Sequence, residues 1–229
     1  MGRHLMPRAA SVLALALLVG VGLSSAPAVA TETETAPVAA SAAADSALLQ
    51  RILAQVSAHP VVHADFVQTR TSALLTAPAL TRGTLVFARE RGVIWQVRSP
   101  QPQGYVYGRQ RSARIDADGK LLSLDGQPTA ISQQINEWAN AFMQGDTSGL
   151  ASQFGISVTG TLRRWQVVLT PAQPQIAQAM RRLTLSGDTT VRTVTLETRR
   201  GETVQWQFDK VRTGETLDVQ AQRLLRMVE

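Results

Sequence analysis

Apolar and polar side chains alternate with a period of two residues along much of the chain from Val61 to Val211. This pattern is typical of antiparallel β-strands that cover something apolar on one side. The clearest example is Gly83 to Pro100, where two alternating runs flank a turn at residues 90–92, and it predicts a β-hairpin. Six side chains of this hairpin are predicted to share one face: Leu85, Phe87, Arg89, Val93, Trp95 and Val97.

Arg89 is the one charged residue on that predicted face. A guanidinium is rarely buried without a partner, so an inward-pointing Arg89 needs carbonyl or carboxylate groups opposite it. Alternatively, Arg89 closes the strand at the rim and extends its charged end into water. The sequence leaves both arrangements open.

Further strands and helices extend the pattern on both sides of the hairpin. A first helix is predicted to begin at Asp45 or Ser46, either of which could cap it, and to end by His59 because Pro60 follows. Short helices are predicted at residues 175–180 and 218–228. About ten or eleven strands are predicted in all. Outside the hairpin they are residues 61–75 with an interruption near 72, 105–107, 111–115, 120–124, 154–161, 165–169, 183–186, 191–198 and 203–211.

A helix is also predicted between the strands, from Thr129 to Gln144. Its apolar residues recur at helical spacing, and Gly145 ends it. Such a helix could cover one open end of a barrel, or its side chains could complete the core. The two roles are compatible. The apolar stripe consists of Ile131, Ile135, Trp138 and Phe142.

The N-terminus has the pattern of a secretory signal. Arg3 and Arg8 precede an apolar stretch from Ala9 to Leu23, and Ala28 to Ala30 form an A-x-A cleavage site. The apolar stretch is shorter than the roughly 20 residues that span a bilayer. We expect a signal peptide at residues 1–30 with cleavage near Ala30, a flexible leader at 31–45, and one domain at 46–229.

Composition excludes several classes of function. The chain has no cysteine, which removes thiol nucleophiles, cysteine zinc sites and redox motifs. The net charge of +6 becomes +4 once Arg3 and Arg8 are cleaved off, and the arginines are scattered rather than clustered. A nucleic-acid partner is therefore not expected. A weak attraction to anionic lipid or to an acidic docking partner fits better.

Three short motifs resemble chemical sites, and each has a simpler explanation. His59 and His63 have metal-pair spacing, but Pro60 prevents a continuous helix and no third ligand is visible. The stretch from Gly145 to Gly149 resembles a serine-protease nucleophile sequence but lacks the second glycine and a suitably ordered histidine. Asp116 with Asp118 hints at a calcium loop, and a hairpin turn explains it better. We predict no enzyme activity, no metal and no cofactor.

Several motifs resemble one known family. Gly83, Leu85, Arg89, Trp95 and Pro100 have the spacing of the signature hairpin of the periplasmic outer-membrane lipoprotein carriers, the LolA-like family. Phe66 and Gln68 resemble the family's F-x-Q strand. Residues 168–171, with the sequence VLTP, resemble the end of a later strand.

The resemblance implies a fold and an activity. The fold class would be α+β and mostly antiparallel β, an incomplete, unclosed barrel with helices covering the mouth. The protein would be a periplasmic monomer that carries acylated lipoprotein or other lipid from an inner-membrane transporter to an outer-membrane acceptor. Arg89 would hydrogen-bond the lid in the closed, empty state, with carbonyls near Gly145 and Asp146 as its expected partners. The implied acyl-binding residues are Phe66, Leu85, Phe87, Val93, Trp95 and Val97 in the cavity, with Ile131, Ile135, Trp138 and Phe142 on the lid.

Two residues depart from the family pattern. Glu90 stands where a proline is usual, and Val93 where the carrier has an aromatic side chain involved in docking. A paralogue serving another lipid or pigment export system therefore stays open, as does a lipid-sensing regulatory module on the same fold. An exported hydrolase would depend on Ser148.

Overall fold

The computed structural model describes residues 36–109, 111–125 and 148–229. Within these ranges the chain forms eleven strands and four helices. The strands are β1 (Val61–Thr71), β2 (Ala79–Ala88), β3 (Gly92–Ser99), β4 (Gln103–Tyr107), β5 (Ser112–Ile115), β6 (Leu121–Asp125), β7 (Phe154–Thr161), β8 (Arg164–Pro171), β9 (Met180–Gly187), β10 (Val191–Thr198) and β11 (Thr203–Gly214). The helices are α1 (Ala36–Val56), α2 (Ser148–Ala151), α3 (Pro174–Ala179) and α4 (Val219–Arg226).

All eleven strands belong to one antiparallel sheet. Their order is β6-β5-β4-β3-β2-β1-β11-β10-β9-β8-β7, so β1 pairs with β11 in the middle and every other pair is sequential. The edge strands β6 and β7 do not pair with each other, which leaves the sheet unclosed. The predicted fold class, a mostly antiparallel incomplete barrel of ten or eleven strands, is therefore confirmed.

Tight turns make this sequential pairing possible. In the β2–β3 hairpin, the Arg91 amide donates to the Ala88 carbonyl at 3.1 Å, and Gly92 adopts a φ of 135°. A side chain at Gly92 would clash with the Tyr107 carbonyl, so glycine is required there. In the β5–β6 turn, Asp116 Oδ1 accepts hydrogen bonds from the amides of Asp118 and Lys120. This arrangement is typical of an Asx turn.

The register defines two faces of the sheet. Face A carries Phe66, Phe87 and Val167, and face B carries Ile94 and Val106. We call β1–β6 the first half of the sheet and β7–β11 the second half.

Helix α1 packs on face A of the second half. Ile52, Leu53 and Val56 are buried against strands β7 to β9, where Trp165 and Val167 complete the core. Outside the core, Gln55 Nε2 also fixes the helix, donating to the carbonyls of Leu162 at 3.1 Å and Asp188 at 2.6 Å.

Helix α4 packs on the opposite face of the opposite half. Leu224, Leu225 and Val228 are buried against Ile94 and Val106 on face B. Asp218 caps the helix by accepting a hydrogen bond from the Ala221 amide at 2.7 Å. The two helices thus cover diagonally opposite quarters of the sheet.

Helix α1 begins at Ala36, about ten residues before the predicted start at Asp45 or Ser46. The segment 36–45 contains six alanines, and alanine has the highest helix propensity of all residues. The sequence prediction rests instead on the capping residues Asp45 and Ser46 and on the low complexity of residues 31–45. Of the predicted leader, residues 31–35 lie outside the described ranges. None of the helices in the described part of the chain is long and apolar enough to cross a bilayer.

We expect Leu53→Ala to destabilise the protein by about 2–5 kcal/mol, because a side chain that is 1% exposed leaves a cavity when truncated. Urea unfolding followed by circular dichroism measures this change. Leu122→Ala is the matched control, since Leu122 is 57% exposed and should change stability by less than about 0.5 kcal/mol. Equal losses in the two variants would contradict this description of the core.

Candidate functional site

Face A of the first half carries the side chains that the sequence predicted to act together. The register pairs Leu85 with Trp95 and Phe87 with Val93 across β2 and β3. Gly83 pairs with Phe66 on one side and with Val97 on the other. The structure therefore brings the six predicted cavity residues, Phe66, Leu85, Phe87, Val93, Trp95 and Val97, onto one continuous surface, which we call the apolar surface.

Phe66 lies at the centre of the apolar surface. Its ring stacks on that of Trp95 with centroids 4.0 Å apart, and it is 1% exposed. The ring crosses β2 at Gly83, where a Cβ atom would lie 2.8 Å from it and would clash with the Gln96 carbonyl. Gly83 is thus needed so that Phe66 can reach Trp95 over the neighbouring strand.

Arg89 lies at one end of the apolar surface, just beyond β2. Its guanidinium Nη2 donates to the carbonyl of Ser57, and its backbone amide donates to the carbonyl of Pro60 at 2.8 Å. Both carbonyls belong to the segment that follows α1, where the helix leaves acceptors unpaired. In the described part of the chain, the buried Nε of Arg89 has no hydrogen-bond partner.

Two predicted features fall on residues that the structure does not describe. The proposed lid residues Ile131, Ile135, Trp138 and Phe142 lie in the segment 126–147, and so do Gly145 and Asp146, the expected partners of Arg89. The lid-latching role of Arg89 therefore stays a prediction. Sequence reasoning missed the partner that is observed, Ser57. Pro60 was the available signal, because it ends α1 and leaves carbonyls that attract a cation.

Two tyrosines extend the apolar surface onto β4. Tyr105 pairs with Trp95 and Tyr107 pairs with Val93. Their rings are parallel to within 9°, with centroids 6.1 Å apart. Burial, together with the neighbouring Tyr105, raises the pKa of Tyr107 to about 12.

The apolar surface also extends onto β11 through residues that sequence reasoning did not single out. Phe208 pairs with Phe66, and Trp206 pairs with Gln68. Trp206 Nε1 donates to Gln68 Oε1 at 3.0 Å, so the half-buried indole has its partner within the surface. The alternation of Val204, Trp206 and Phe208 in a predicted strand was a signal that could have identified these residues.

A different kind of site lies on face B, beside α4. It is an open cleft of about 560 Å³ whose wall includes charged groups from the central strands. Asp65 lies 3.2 Å from the ammonium group of Lys210 and 3.9 Å from the guanidinium of Arg98. Here β1 and β11 shift register between His63 and Asp65, and Lys210 has a φ of 49°. This charged cleft does not suit an acyl chain.

The short motifs have structural roles where they can be seen. His63 lies in β1 and lines the cleft on face B, while Asp116 holds the β5–β6 turn. Among the described residues, no group of three or more His, Cys, Asp or Glu side chains could hold a metal ion.

Comparison with known sequences gives one family. The sequence profile described as "Outer membrane lipoprotein carrier protein LolA-like" matches residues 38–213. No curated protein matches the chain.

Comparison with solved structures gives matches at low sequence identity. The MucA/MucB complex of Pseudomonas aeruginosa is 15% identical, with a TM-score of 0.46, and the match covers 76% of this chain and 59% of that chain. A LolA superfamily protein from Nitrosomonas europaea is 9% identical, with a TM-score of 0.42, and the match covers 75% of this chain and 96% of that one. The chain thus spans less than two thirds of the Pseudomonas chain.

We expect the stability contributed by Tyr107 to depend on alkaline pH. Its pKa is about 12 when folded and about 10 when unfolded, so this stability is fully present below pH 10. It is lost as the pH rises from 10 to 12, by roughly 2–3 kcal/mol in total. Urea unfolding at pH 9, 10 and 11 should show a steeper decline for the parent than for Tyr107→Phe. Parallel declines would contradict burial of the Tyr107 hydroxyl.

Proposed function

We propose that this chain, which belongs to the outer membrane lipoprotein carrier protein LolA-like family, is a periplasmic, non-enzymatic carrier that shields acyl chains between two membranes. Its cargo would be an acylated lipoprotein or another lipid, taken from an inner-membrane transporter and given to an outer-membrane acceptor. The observation that carries this proposal is the apolar surface on face A of the first half, with Arg89 at its end.

The apolar surface suits an acyl chain in composition. Between Phe87 and Gly83 the strand provides only apolar contacts on face A, and Trp95 and Phe66 add aromatic rings. Each methylene group removed from water contributes about 0.8 kcal/mol, so a sixteen-carbon chain gains on the order of 12 kcal/mol. A carrier with such a surface binds strongly and needs a means of release.

Arg89 supplies a polar contact at the end of this surface. Its Nη2 already binds the Ser57 carbonyl at the end of α1, while its buried Nε is an unused donor among the described residues. An ester or amide carbonyl of an acylated cargo could accept that hydrogen bond. In this arrangement, cargo enters along the apolar surface. Its carbonyl either competes with the Ser57 carbonyl for Arg89 or accepts a second hydrogen bond from Arg89 beside it.

Such competition would make transfer reversible. If the Arg89 contact with α1 is weaker when cargo is bound, re-forming it on release offsets part of the binding free energy of the acyl chain. The guanidinium would then lower the affinity for cargo and speed its release together.

We expect Leu85→Gln to weaken binding of a fluorescent sixteen-carbon fatty acid by about tenfold, because it places an amide among the apolar contacts. Val86→Gln is the matched control, since Val86 is the next residue of β2 and lies on face B. Fluorescence titration in vesicle-free buffer measures both affinities. Equal effects of the two substitutions, or no binding by the parent, would contradict an acyl site on face A.

We expect Arg89→Leu to keep the fold and the uptake of lipid but to slow its release to acceptor vesicles by about fivefold or more. A stopped-flow assay with donor and acceptor vesicles measures the rate. Arg91→Leu is the control from the same turn, since Arg91 pairs with Glu229 at 2.6 Å rather than with α1. Equal transfer rates for Arg89→Leu and the parent would contradict the proposed role of Arg89 in release. A parent that binds lipid but transfers none would instead favour the lipid-sensing regulatory module.

A further inference from the structure

The loop between β1 and β2, residues 72–78, exposes large apolar side chains at one end of the sheet. We call it the Leu74 loop. Leu74 is 94% exposed and Leu75 is 38% exposed, and Leu80 at the start of β2 is 44% exposed. Scattered exposed leucines are ordinary, but three within seven residues, two on the loop and one at the start of β2, form a patch that calls for an explanation.

The loop has a defined conformation. The Leu74 amide donates to Ser72 Oγ at 3.2 Å, and the Leu75 amide donates to the Ser72 carbonyl at 3.0 Å. Both flanking strands are paired up to the loop, with Arg70 opposite Ala79. The local hydrogen bonds and the paired ends of β1 and β2 therefore fix the loop with its leucines exposed.

The surroundings of the loop are basic. From Phe66 to Arg89 the sequence contains no acidic residue. The β10–β11 turn lies beside the loop, because Thr71 pairs with Thr203, and it carries the exposed Arg199 and Arg200. Arg82 is exposed on β2.

The acidic residues nearby in β10 and the β10–β11 turn are already paired. Glu202 forms an ion pair with Arg70, and Glu197 forms one with Arg182 at 3.7 Å. The exposed cations around the loop are therefore not offset by these carboxylates.

We propose that this end of the molecule docks on an anionic lipid bilayer. Leu74 and Leu75 insert among the acyl chains, while Arg82 and Arg200 bind the lipid phosphates. Arg199, whose Nε donates to the Ala177 carbonyl at 2.9 Å, adds positive charge with its remaining donors. Apolar side chains at a tip, ringed by long cationic side chains, suit the bilayer interface, where apolar burial and attraction to anionic lipid act together. A narrow projecting loop offers little area to a second protein, whereas a bilayer can surround it completely.

The docking surface is separate from the acyl site. Nine residues of nearly extended chain separate Leu80 from Arg89, a distance of roughly 30 Å. The apolar surface lies between them on face A, so docking through the Leu74 loop would bring one end of that surface to the membrane and leave Arg89 at the far end.

A vesicle flotation assay tests the docking surface. The protein is purified from the periplasm of an export host, so parent and variants share whatever N-terminus the host leaves. Vesicles of phosphatidylcholine alone are compared with vesicles containing one quarter phosphatidylglycerol. We expect the parent to prefer the anionic vesicles, and Leu74→Ser with Leu75→Ser to lower partitioning by about tenfold. Val219→Ser, which alters a valine that is 84% exposed on α4, should stay within about twofold of the parent.

The contribution of the arginines and the insertion of the loop into the bilayer are tested separately. Arg200→Gln should lower partitioning by about fivefold at low salt and reduce its dependence on salt. Because the chain has no cysteine, Thr76→Cys can carry a single environment-sensitive dye, which should shift to the blue on anionic vesicles. The same dye at Val219→Cys should not shift.

The proposal is overturned if the leucine variant floats like the parent, if neutral and anionic vesicles bind equally, or if the dye at position 76 does not shift. Fatty-acid binding in vesicle-free buffer should be the same for the leucine variant and the parent. If the parent binds no fatty acid, the proposed carrier function is wrong, but the flotation result still stands. The two proposals can therefore fail separately.

Discussion

The structure depends on how one long apolar-faced sheet is covered. Among the described residues, α1 and α4 cover diagonally opposite quarters of the eleven-stranded sheet. In the second half, α1 fills face A with Ile52 and Leu53 and makes a closed core. In the first half, α4 takes face B instead. Among the described residues, face A of that half carries Phe66, Trp95 and their neighbours, which form the candidate lipid site.

The two halves are connected through Arg89 as well as through β1 and β11. The residue belongs to the hairpin of the first half, while its acceptor, Ser57, follows the helix that packs on the second half. The contact joins the segment after α1 to the end of the apolar surface through a hydrogen bond from a charged donor, which is stronger than one between neutral groups.

Much of this architecture follows from local sequence patterns. The alternation from Gly83 to Val97 predicted the β2–β3 hairpin and its shared face, and the strands Phe154–Thr161 and Val191–Thr198 have the predicted bounds. Long-range features were not predictable. No local pattern pairs β1 with β11, and none assigns α1 and α4 to opposite faces, because these depend on packing between distant segments. The start of α1 was wrong because alanine propensity outweighed the capping signal at Asp45.

The pairing of β1 with β11 has a consequence for how the chain acquires its structure. Val61 pairs with Gly214, more than 150 residues later, so the central ladder cannot form until the whole intervening segment is present. Contacts between such distant segments slow folding, because a long loop must close before they contribute. Until then, β1 would present an unpaired edge of the kind that invites aggregation. A partner that holds the nascent chain would therefore matter more to this protein than to one built from neighbouring hairpins alone.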